Sequence, residues 1–266
     1  MEGANMGKRF KLCTMVLALM IIMAMIIPAC TAGPTATTAK PEKINIVYIG
    51  DFSGPYSASV GPARYGLEDA LGYVNNDLGG VHGVPIVCVY ADTEGKVENT
   101  VPAYQRALLQ TPKPIYFNGL DSNSGAILHD RLIEDEVIAS STADSSVYPY
   151  GNTIGTWPLY CDQMGFVLDW ALNKWKAEGK TGKPKIAIFG WDLAYGHAFW
   201  TEAAKAYAAK LGFDVVGEYW FPVTQLDITP LAAKAKELNP DFTFCGATSI
   251  GTVVWAKAIN SVGLNN

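Results

Sequence analysis

The chain has 266 residues, of which 49% are hydrophobic and 17% are charged, with 26 glycines and 15 prolines. This composition is typical of a globular protein and excludes a disordered or fibrous chain. A formal net charge of -5 disfavours a nucleic-acid-binding surface, which needs clustered lysine and arginine, so no nucleic-acid partner is expected.

The N-terminal segment differs in character from everything that follows it. A short basic stretch precedes an unbroken apolar run over 12–27, and Cys30 follows shortly after that run. This pattern predicts a secretory signal peptide over 1–29. Ile27-Pro28-Ala29-Cys30 resembles a bacterial lipobox, so we expect a lipid on Cys30 that anchors the protein to the membrane, outside the cytoplasm. The alternative, an uncleaved transmembrane anchor, is disfavoured because a span needs ~20 apolar residues.

After this segment the chain alternates between two kinds of pattern. Residues 30–43 are rich in threonine, alanine and proline, which predicts a flexible tether. From Ile44 onward, short apolar runs alternate with stretches of helical spacing. The predicted strands are 44–49, 86–90, 115–117, 137–139, 186–189, 215–221 and 242–245. This alternation predicts an α/β fold with parallel sheets and helices on both of their faces.

A break in the alternation at 151–160 separates two series of strands. We therefore predict two doubly wound parallel-sheet lobes, the first over 44–155 and the second over 156–266. The second series ends on a helical pattern that contains Val254 and Ala258, with no closing strand after it. The second lobe is therefore expected to be incomplete.

The loops that follow the predicted strands are dense in hydroxyls, glycines and aromatics. Ligands of open α/β sheets bind at the carboxyl ends of the strands, near a topological switch point. Ser122, Ser124 and Thr142 stand where helices are predicted to begin, so unpaired N–H groups and hydroxyls together would suit a carboxylate. Any one of these residues alone would be interpreted as a helix cap. Their convergence at one end of a sheet favours a ligand site.

Motifs of the common enzyme classes are absent from the sequence. It contains no G-x-S-x-G, no H-E-x-x-H and no G-x-G-x-x-G after a strand. Gly179-Lys180-Thr181 imitates the end of a phosphate loop but precedes a strand instead of following one. We predict a binding protein that is not an enzyme and needs no metal or other cofactor. The spacing of Cys88, Cys161 and Cys245 is not typical of a metal site. The sequence leaves open whether two of these cysteines form a disulfide.

Four segments carry a family resemblance. They are Phe52-Ser53-Gly54-Pro55-Tyr56, Leu78-Gly79-Gly80-Val81-His82-Gly83-Val84-Pro85, Ile133-Glu134-Asp135-Glu136-Val137-Ile138-Ala139-Ser140-Ser141 and Asp192-Leu193-Ala194-Tyr195-Gly196. In this order and spacing they are similar to the leucine/isoleucine/valine-binding branch of type I periplasmic binding proteins. The similarity runs from about Ile44 to the end of the sequence.

The resemblance implies a two-lobed receptor that closes on a small polar solute, an amino acid or a related amide or carboxylate. Such a receptor delivers the solute to the permease subunits of an ABC importer. The resemblance also implies which residues bind the ligand. The expected set is Ser122, Ser124, Ser141, Thr142 and Ala143 for a carboxylate, Tyr195 as a cover from the second lobe, and Tyr56, Trp191 and Asp192 around them. For Trp191, a place in the core is an equally good interpretation.

Two departures from the family pattern leave the solute open. Asp121 and Asp144 would put negative charge beside the expected carboxylate pocket. The family's acidic residue for the ligand's amino group would lie beyond Asn266. A second function shares the same fold and site, namely a ligand-sensing ectodomain that controls a signalling partner. A neighbouring kinase gene would favour sensing, and neighbouring permease and ATPase genes would favour transport.

Overall fold

The structure is a computed structural model that describes residues 40–142 and 151–264. Apart from Lys40, these residues belong to one compact unit, Pro41–Asn266. Cys30, Ala143 and Asp144 lie outside the described residues, so their predicted roles stay predictions.

The first half of this unit is built on a five-stranded parallel sheet. Its strands are β1 (Ile44–Gly50), β2 (Ile86–Asp92), β3 (Tyr116–Leu120), β4 (Ile138–Ser141) and β5 (Thr153–Gly155), in the order β2-β1-β3-β4-β5. Its helices are α1 (Ser57–Gly72), α2 (Thr100–Leu108) and α3 (Ser122–Glu134). A π-helical turn, Tyr73–Asp77, extends α1, and a 3-10 turn, Val97–Asn99, leads into α2.

The second half is built on a three-stranded parallel sheet. Its strands are β6 (Lys185–Trp191), β7 (Asp214–Phe221) and β8 (Phe242–Gly246), in the order β7-β6-β8. Its helices are α4 (Tyr160–Ala177), α5 (Ala194–Phe199), α6 (Glu202–Leu211), α7 (Thr229–Glu237) and α8 (Ile250–Val262).

Strand β6 shows why these sequences form buried parallel strands. Ile186 and Ile188 pack into one core cluster, whereas Ala187, Phe189 and Trp191 pack into another. Side chains of a strand alternate between its faces, so these two clusters lie on opposite faces of the sheet. A parallel strand that is covered on both faces has a nearly continuous apolar sequence. The predicted α/β class with parallel sheets is confirmed.

Helix α1 departs from the sequence-based expectation. The apolar period over Leu67, Ala70, Leu71 and Val74 predicts a face packed into the core, yet no residue of α1 is buried. The seven predicted strands are found with small displacements, but β5 lies in the predicted break at 151–160 and was not predicted. Both β3 and β4 begin one residue after the predicted start, and both continue further, to Leu120 and Ser141.

The strand order fixes where a ligand site is expected. In both sheets the second strand lies on one side of the first and the third strand lies on the other side. The connections therefore diverge at the carboxyl ends of β1 and β3, and again at those of β6 and β8. These are the topological switch points at which open α/β sheets bind ligands.

Two further findings bear on earlier expectations. Within residues 40–142 and 151–264, no helix is long and apolar enough to cross a membrane. Cys88, Cys161 and Cys245 are partly buried and unbridged.

Candidate functional site

A cavity of about 170 Å³ lies at the carboxyl ends of the strands, with walls from both sheets. From the first half it is lined by Gly50, Asp51, Tyr56, Ser59, Val60, Thr93, Gly95, Lys96, Val97, Thr100, Gly119, Asp121, Ser122, Asn123, Ser124 and Thr142. From the second half it is lined by Leu193, Tyr195 and Thr248. Gly50 is the last residue of β1, and Gly119 is the last but one residue of β3. Leu193 and Thr248 follow β6 and β8. The cavity thus lies at both switch points.

The structure brings together five of the residues predicted to bind ligand. Tyr56, Ser122, Ser124, Thr142 and Tyr195 all line this cavity. Each of them follows one of the strands β1, β3, β4 and β6, with Ser122 and Ser124 in the first turn of α3 and Tyr195 in α5, so the position after a strand is what places it here.

Three predicted residues do not line the cavity. Ser141 is buried in β4, where its Oγ donates to the carbonyl oxygen of Leu120 at 3.3 Å. Trp191 is 1% exposed and belongs to the core of the second sheet, which decides between its two interpretations. Asp192 has an exposed carboxylate whose Oδ1 lies 2.9 Å from Nε2 of His197. Their side chains are therefore structural or surface groups in this structure.

The start of α3 also differs from the expectation. Oδ1 of Asp121 accepts hydrogen bonds from the backbone N–H groups of Asn123 at 2.9 Å and Ser124 at 3.0 Å. Oδ2 of Asp121 accepts a third bond from Oγ of Ser124 at 2.9 Å. The prediction that these helix N–H groups are unpaired is wrong, because Asp121 caps the helix itself.

The hydroxyls at this end of the first sheet form two pairs. Oγ of Ser124 lies 3.3 Å from Oγ1 of Thr100, and Oγ of Ser122 lies 3.0 Å from Oγ1 of Thr142. Ser124 already donates to Asp121, so its hydroxyl mainly holds the wall together. A hydroxyl has one donor and two acceptor sites, so the bond between Ser122 and Thr142 leaves Ser122 capacity for a ligand.

The loops after β1 and β2 are fastened to each other beside the cavity. Asp92 accepts hydrogen bonds from Oγ of Ser53 at 2.7 Å and from the backbone N–H of Phe52 at 3.0 Å. Burial raises the pKa of Asp92, but hydrogen bonds from Ser53 and from nearby backbone N–H groups outweigh it, and the pKa is lowered overall. Gly95, in the left-handed region at φ +66°, packs against Asp51, since an added Cβ would lie 2.6 Å from Oδ2 of Asp51. This contact fixes the path of the loop that carries Lys96.

Contacts between aromatic rings connect the two halves beside the cavity. The ring of Tyr56 meets that of Trp191 edge to face, with centroids 5.4 Å apart, and Tyr195 lies 5.0 Å from Tyr160. Burial, together with the carboxylates of Asp121 and Asp51, raises the pKa of Tyr56 well above its ordinary value. Burial and the neighbouring Tyr160 raise the pKa of Tyr195 to about 12. Both hydroxyls therefore stay protonated at neutral pH and can donate to a ligand.

Three charged side chains line the cavity among the residues that the structure describes: Asp51, Lys96 and Asp121. Asp51 is 4% exposed and accepts from the backbone N–H groups of Gly54 and Tyr56. Nζ of Lys96 lies 2.6 Å from Oε2 of Glu94, in an ion pair whose side chains are 55% and 51% exposed.

Sequence reasoning missed one side of the cavity. Ser59 and Val60 of α1, and the group Gly95, Lys96, Val97 and Thr100 after β2, all contribute to the wall. The loop after β2 satisfies the same after-strand rule that found the other residues. Its glycine and lysine are the signal that could have identified it.

The comparisons with known proteins agree with this geometry. A family model described as "Periplasmic binding protein" matches residues 43–266.

The chain belongs to the periplasmic binding protein family. The resemblance to type I periplasmic binding proteins seen in the sequence motifs is confirmed. Membership of this family implies an extracytoplasmic location, and the family consists of solute-binding proteins. No curated protein sequence matches the chain significantly.

Several solved structures share the fold. A branched-chain amino acid ABC transporter protein from Thermus thermophilus with bound valine aligns with a TM-score of 0.74 and 18% identity, over 84% of this chain and 57% of that one. A fatty acid ABC transporter substrate-binding protein from Thermomonospora curvata aligns with a TM-score of 0.73 and 20% identity, over 84% and 55%. A solute-binding protein from Rhodopseudomonas palustris BisB5 in complex with 3,4-dihydroxy benzoic acid gives 0.71 and 17%, over 84% and 59%. The chain thus spans less than two thirds of the length of these proteins.

Proposed function

We propose that this chain is the extracytoplasmic solute-binding component of an ABC importer. It binds a small polar solute, an amino acid or a related amide or carboxylate, in the cavity at the two switch points. It then delivers this solute to the permease subunits of the importer. A lipid on Cys30 holds it at the outer face of the membrane through the tether 30–43.

The observation that carries this proposal is the composition of the cavity wall. Segments that follow strands of both sheets meet there, and the hydroxyl-bearing residues Ser122, Thr142 and Tyr195 all line one small space. Small-molecule sites are typically concave, largely apolar and supplied with a few convergent polar groups. Val60, Val97 and Leu193 supply apolar surface in the same cavity.

The similar structures support the chemical class of the solute. Their names mention valine, 3,4-dihydroxy benzoic acid and fatty acid, and each of these compounds carries a carboxyl group. Hydroxyl donors such as Ser122 and protonated Tyr195 suit an oxygen-rich ligand group. An acid with a compact apolar body combines both features of the cavity.

A thermal-shift screen of the full chain against amino acids, amides, ureas and aromatic acids tests this function. A ligand that binds only the folded state stabilises it by mass action, by about 2.7 kcal/mol at a hundredfold excess over Kd. We expect at least one class of these solutes to raise the melting temperature in a concentration-dependent way. If no class does so, the proposal is wrong as to its ligand. If a solute binds, but the variants Thr142→Ala and Tyr195→Phe bind it like the parent, the site has been assigned to the wrong cavity.

A further inference from the structure

The charges that line the cavity differ in how they are compensated. The two carboxylates, on Asp51 and Asp121, are held by fixed backbone donors. Asp121 also caps α3, where the positive end of the helix dipole stabilises a negative charge. Neither carboxylate therefore needs a cation from a ligand.

Lys96 is compensated in another way. Its partner is Glu94, and about half of each side chain is exposed to solvent. Ion pairs in such positions contribute little to stability, because water and salt screen them and both side chains lose freedom. Exchange of this exposed carboxylate for an anionic group of a ligand therefore costs little.

The backbone that carries Lys96 is held firmly in place beside the cavity. An added Cβ on Gly54 would lie 2.2 Å from the carbonyl oxygen of Glu94, so the loops after β1 and β2 are in close backbone contact. Asp92 accepts from Phe52 and Ser53 on one side and from the backbone N–H of Glu94 on the other. Lys96 thus projects from a preorganised loop, and only its side chain has to move to change partners.

We propose that the Lys96 ammonium is the anion-binding group of this cavity, and that the solute is therefore an acid, which Lys96 distinguishes from the corresponding amide. This assignment rests on the proposed function and narrows its solute class. The acid group exchanges for Glu94 at Lys96, and Ser122, Thr142 and Tyr195 donate or accept around the rest of the molecule. Among the described residues that line the cavity, Lys96 is the only cation.

The test uses matched acid and amide probes with the full chain. Leucine and leucinamide, 4-methylpentanoate and 4-methylpentanamide, and benzoate and benzamide are titrated by calorimetry at low and high salt. In the parent, we expect at least one acid to bind roughly tenfold more tightly than its amide, the size of one charged hydrogen bond. Added salt should weaken binding of the acid more than that of the amide.

Three variants separate a specific role of Lys96 in acid binding from a general loss of binding or stability. Lys96→Met should weaken acid binding roughly tenfold or more and leave amide binding and the melting temperature unchanged. Glu94→Gln removes the competing carboxylate and should strengthen acid binding. Lys257→Met is the matched control, because Lys257 is an exposed lysine on α8 that does not line the cavity, and it should change nothing.

The outcomes distinguish this assignment from the proposed function. Binding of a probe without any preference of the parent for acid over amide would overturn the role of Lys96 and leave solute binding intact. Equal weakening of acid and amide by Lys96→Met would overturn it as well. If no probe binds the parent, this acid assignment is wrong for the chemical class that the panel represents, and the broader thermal-shift screen decides the proposed function.

Discussion

At the scale of single residues, Thr142 illustrates how a cavity hydroxyl differs from a core one. Its Oγ1 lies 3.0 Å from Oγ of Ser122 on the cavity wall, and the side chain is only half-buried. Thr142→Ala should weaken ligand binding by roughly two- to tenfold, since a hydrogen bond between neutral groups contributes about 0.5–1.5 kcal/mol. The melting temperature without ligand should hardly change, because little of the core rests on this hydroxyl.

A matched control for this prediction lies at the other end of the second sheet. Thr181 is exposed in the turn before β6, so Thr181→Ala makes the same chemical change away from the cavity. Calorimetry with a solute from the screen and a thermal melt of both variants give the comparison. If Thr142→Ala binds as tightly as Thr181→Ala, Thr142 is not a ligand-binding residue.

Tyr195 combines a hydroxyl at the cavity with a ring that supports its surroundings. The ring centroid lies 5.0 Å from that of Tyr160 and 5.4 Å from that of Phe199. Tyr195→Phe keeps this packing and removes the donor, so we expect faster ligand release with little loss of stability. Tyr195→Ala should both speed release and lower the melting temperature, because aromatic pairs contribute about 0.5–1.5 kcal/mol each. Stopped-flow dissociation rates of the two variants separate these effects, and unchanged rates in both would exclude Tyr195 from the site.

At the scale of elements, two side-chain helix caps within the described residues make a controlled pair. Asp121 caps α3 beside the cavity, and Thr201 caps α6 through a 3.3 Å bond from the backbone N–H of Ala204. Asp121→Ala and Thr201→Ala should each lower the free energy of unfolding by about 0.5–2 kcal/mol. Only Asp121→Ala should also change ligand affinity, since it frees N–H groups of Asn123 and Ser124 at the cavity wall. Denaturant unfolding and calorimetry measure the two effects, and equal affinities in both variants would contradict the role of α3.

The close packing of α5 on the end of β6 explains the glycine of Asp192-Leu193-Ala194-Tyr195-Gly196. An added Cβ on Gly196 would lie 2.0 Å from the carbonyl oxygen of Trp191, which is backbone and cannot give way cheaply. Gly196→Ala should therefore destabilise the fold by about 1–3 kcal/mol, as overpacking does, and should displace Tyr195. Gly66→Ala in α1 is the control, because nothing lies within 4 Å of its added Cβ. It should stabilise the helix by about 0.5–1 kcal/mol, and urea unfolding of the two variants checks both signs.

The sequence predicted the helices and strands more completely than it predicted the site. Seven of the eight strands in the described residues could be predicted, because parallel strands covered on both faces, such as β6, are continuous apolar runs. Strand β5 was missed, because it is only three residues long and two of them are exposed. The failure at α1 has a physical reason, since helical spacing shows which side chains share a face but not whether another element covers it. Trp191 is the last residue of β6 and its side chain packs into the core of the second sheet, whereas Leu193 and Tyr195, which follow the strand, line the cavity.

Within the site, position after a strand was a good guide and side-chain chemistry was a poorer one. Position after a strand located Ser122 and Thr142, because parallel strands bring their carboxyl ends to one edge of the sheet. It did not reveal that Asp121 would satisfy the helix N–H groups, since a hydrogen-bond partner depends on the local backbone path. Lys96 follows β2 and satisfies the same after-strand rule, but the packing of Gly95 on Asp51, which brings Lys96 to the cavity wall, is a tertiary contact that the sequence does not show.

At the scale of the whole molecule, the two sheets repeat one design. In each sheet the second strand lies on one side of the first and the third strand on the other, and each sheet contributes its own switch point to the same cavity. Walls that come from two sheets let a solute contact both halves at once. The edge-to-face contact of Tyr56 with Trp191 shows that the halves already touch beside the cavity.

The last prediction concerns how the whole protein is held at the membrane. The pattern of basic residues, apolar run and Ile27-Pro28-Ala29-Cys30 predicts cleavage before Cys30 and a lipid on its thiol. Cys30→Ser removes the thiol that would accept the lipid, so the protein should leave the membrane fraction. Cys13→Ser is the matched control, because Cys13 lies inside the predicted signal peptide and should not affect anchoring. Cell fractionation, with mass spectrometry of the N-terminal peptide, measures both properties. A lipid attached at residue 30 of the parent would support the prediction. A parent that keeps residues 1–29 and carries no lipid would show instead that this segment anchors the protein directly.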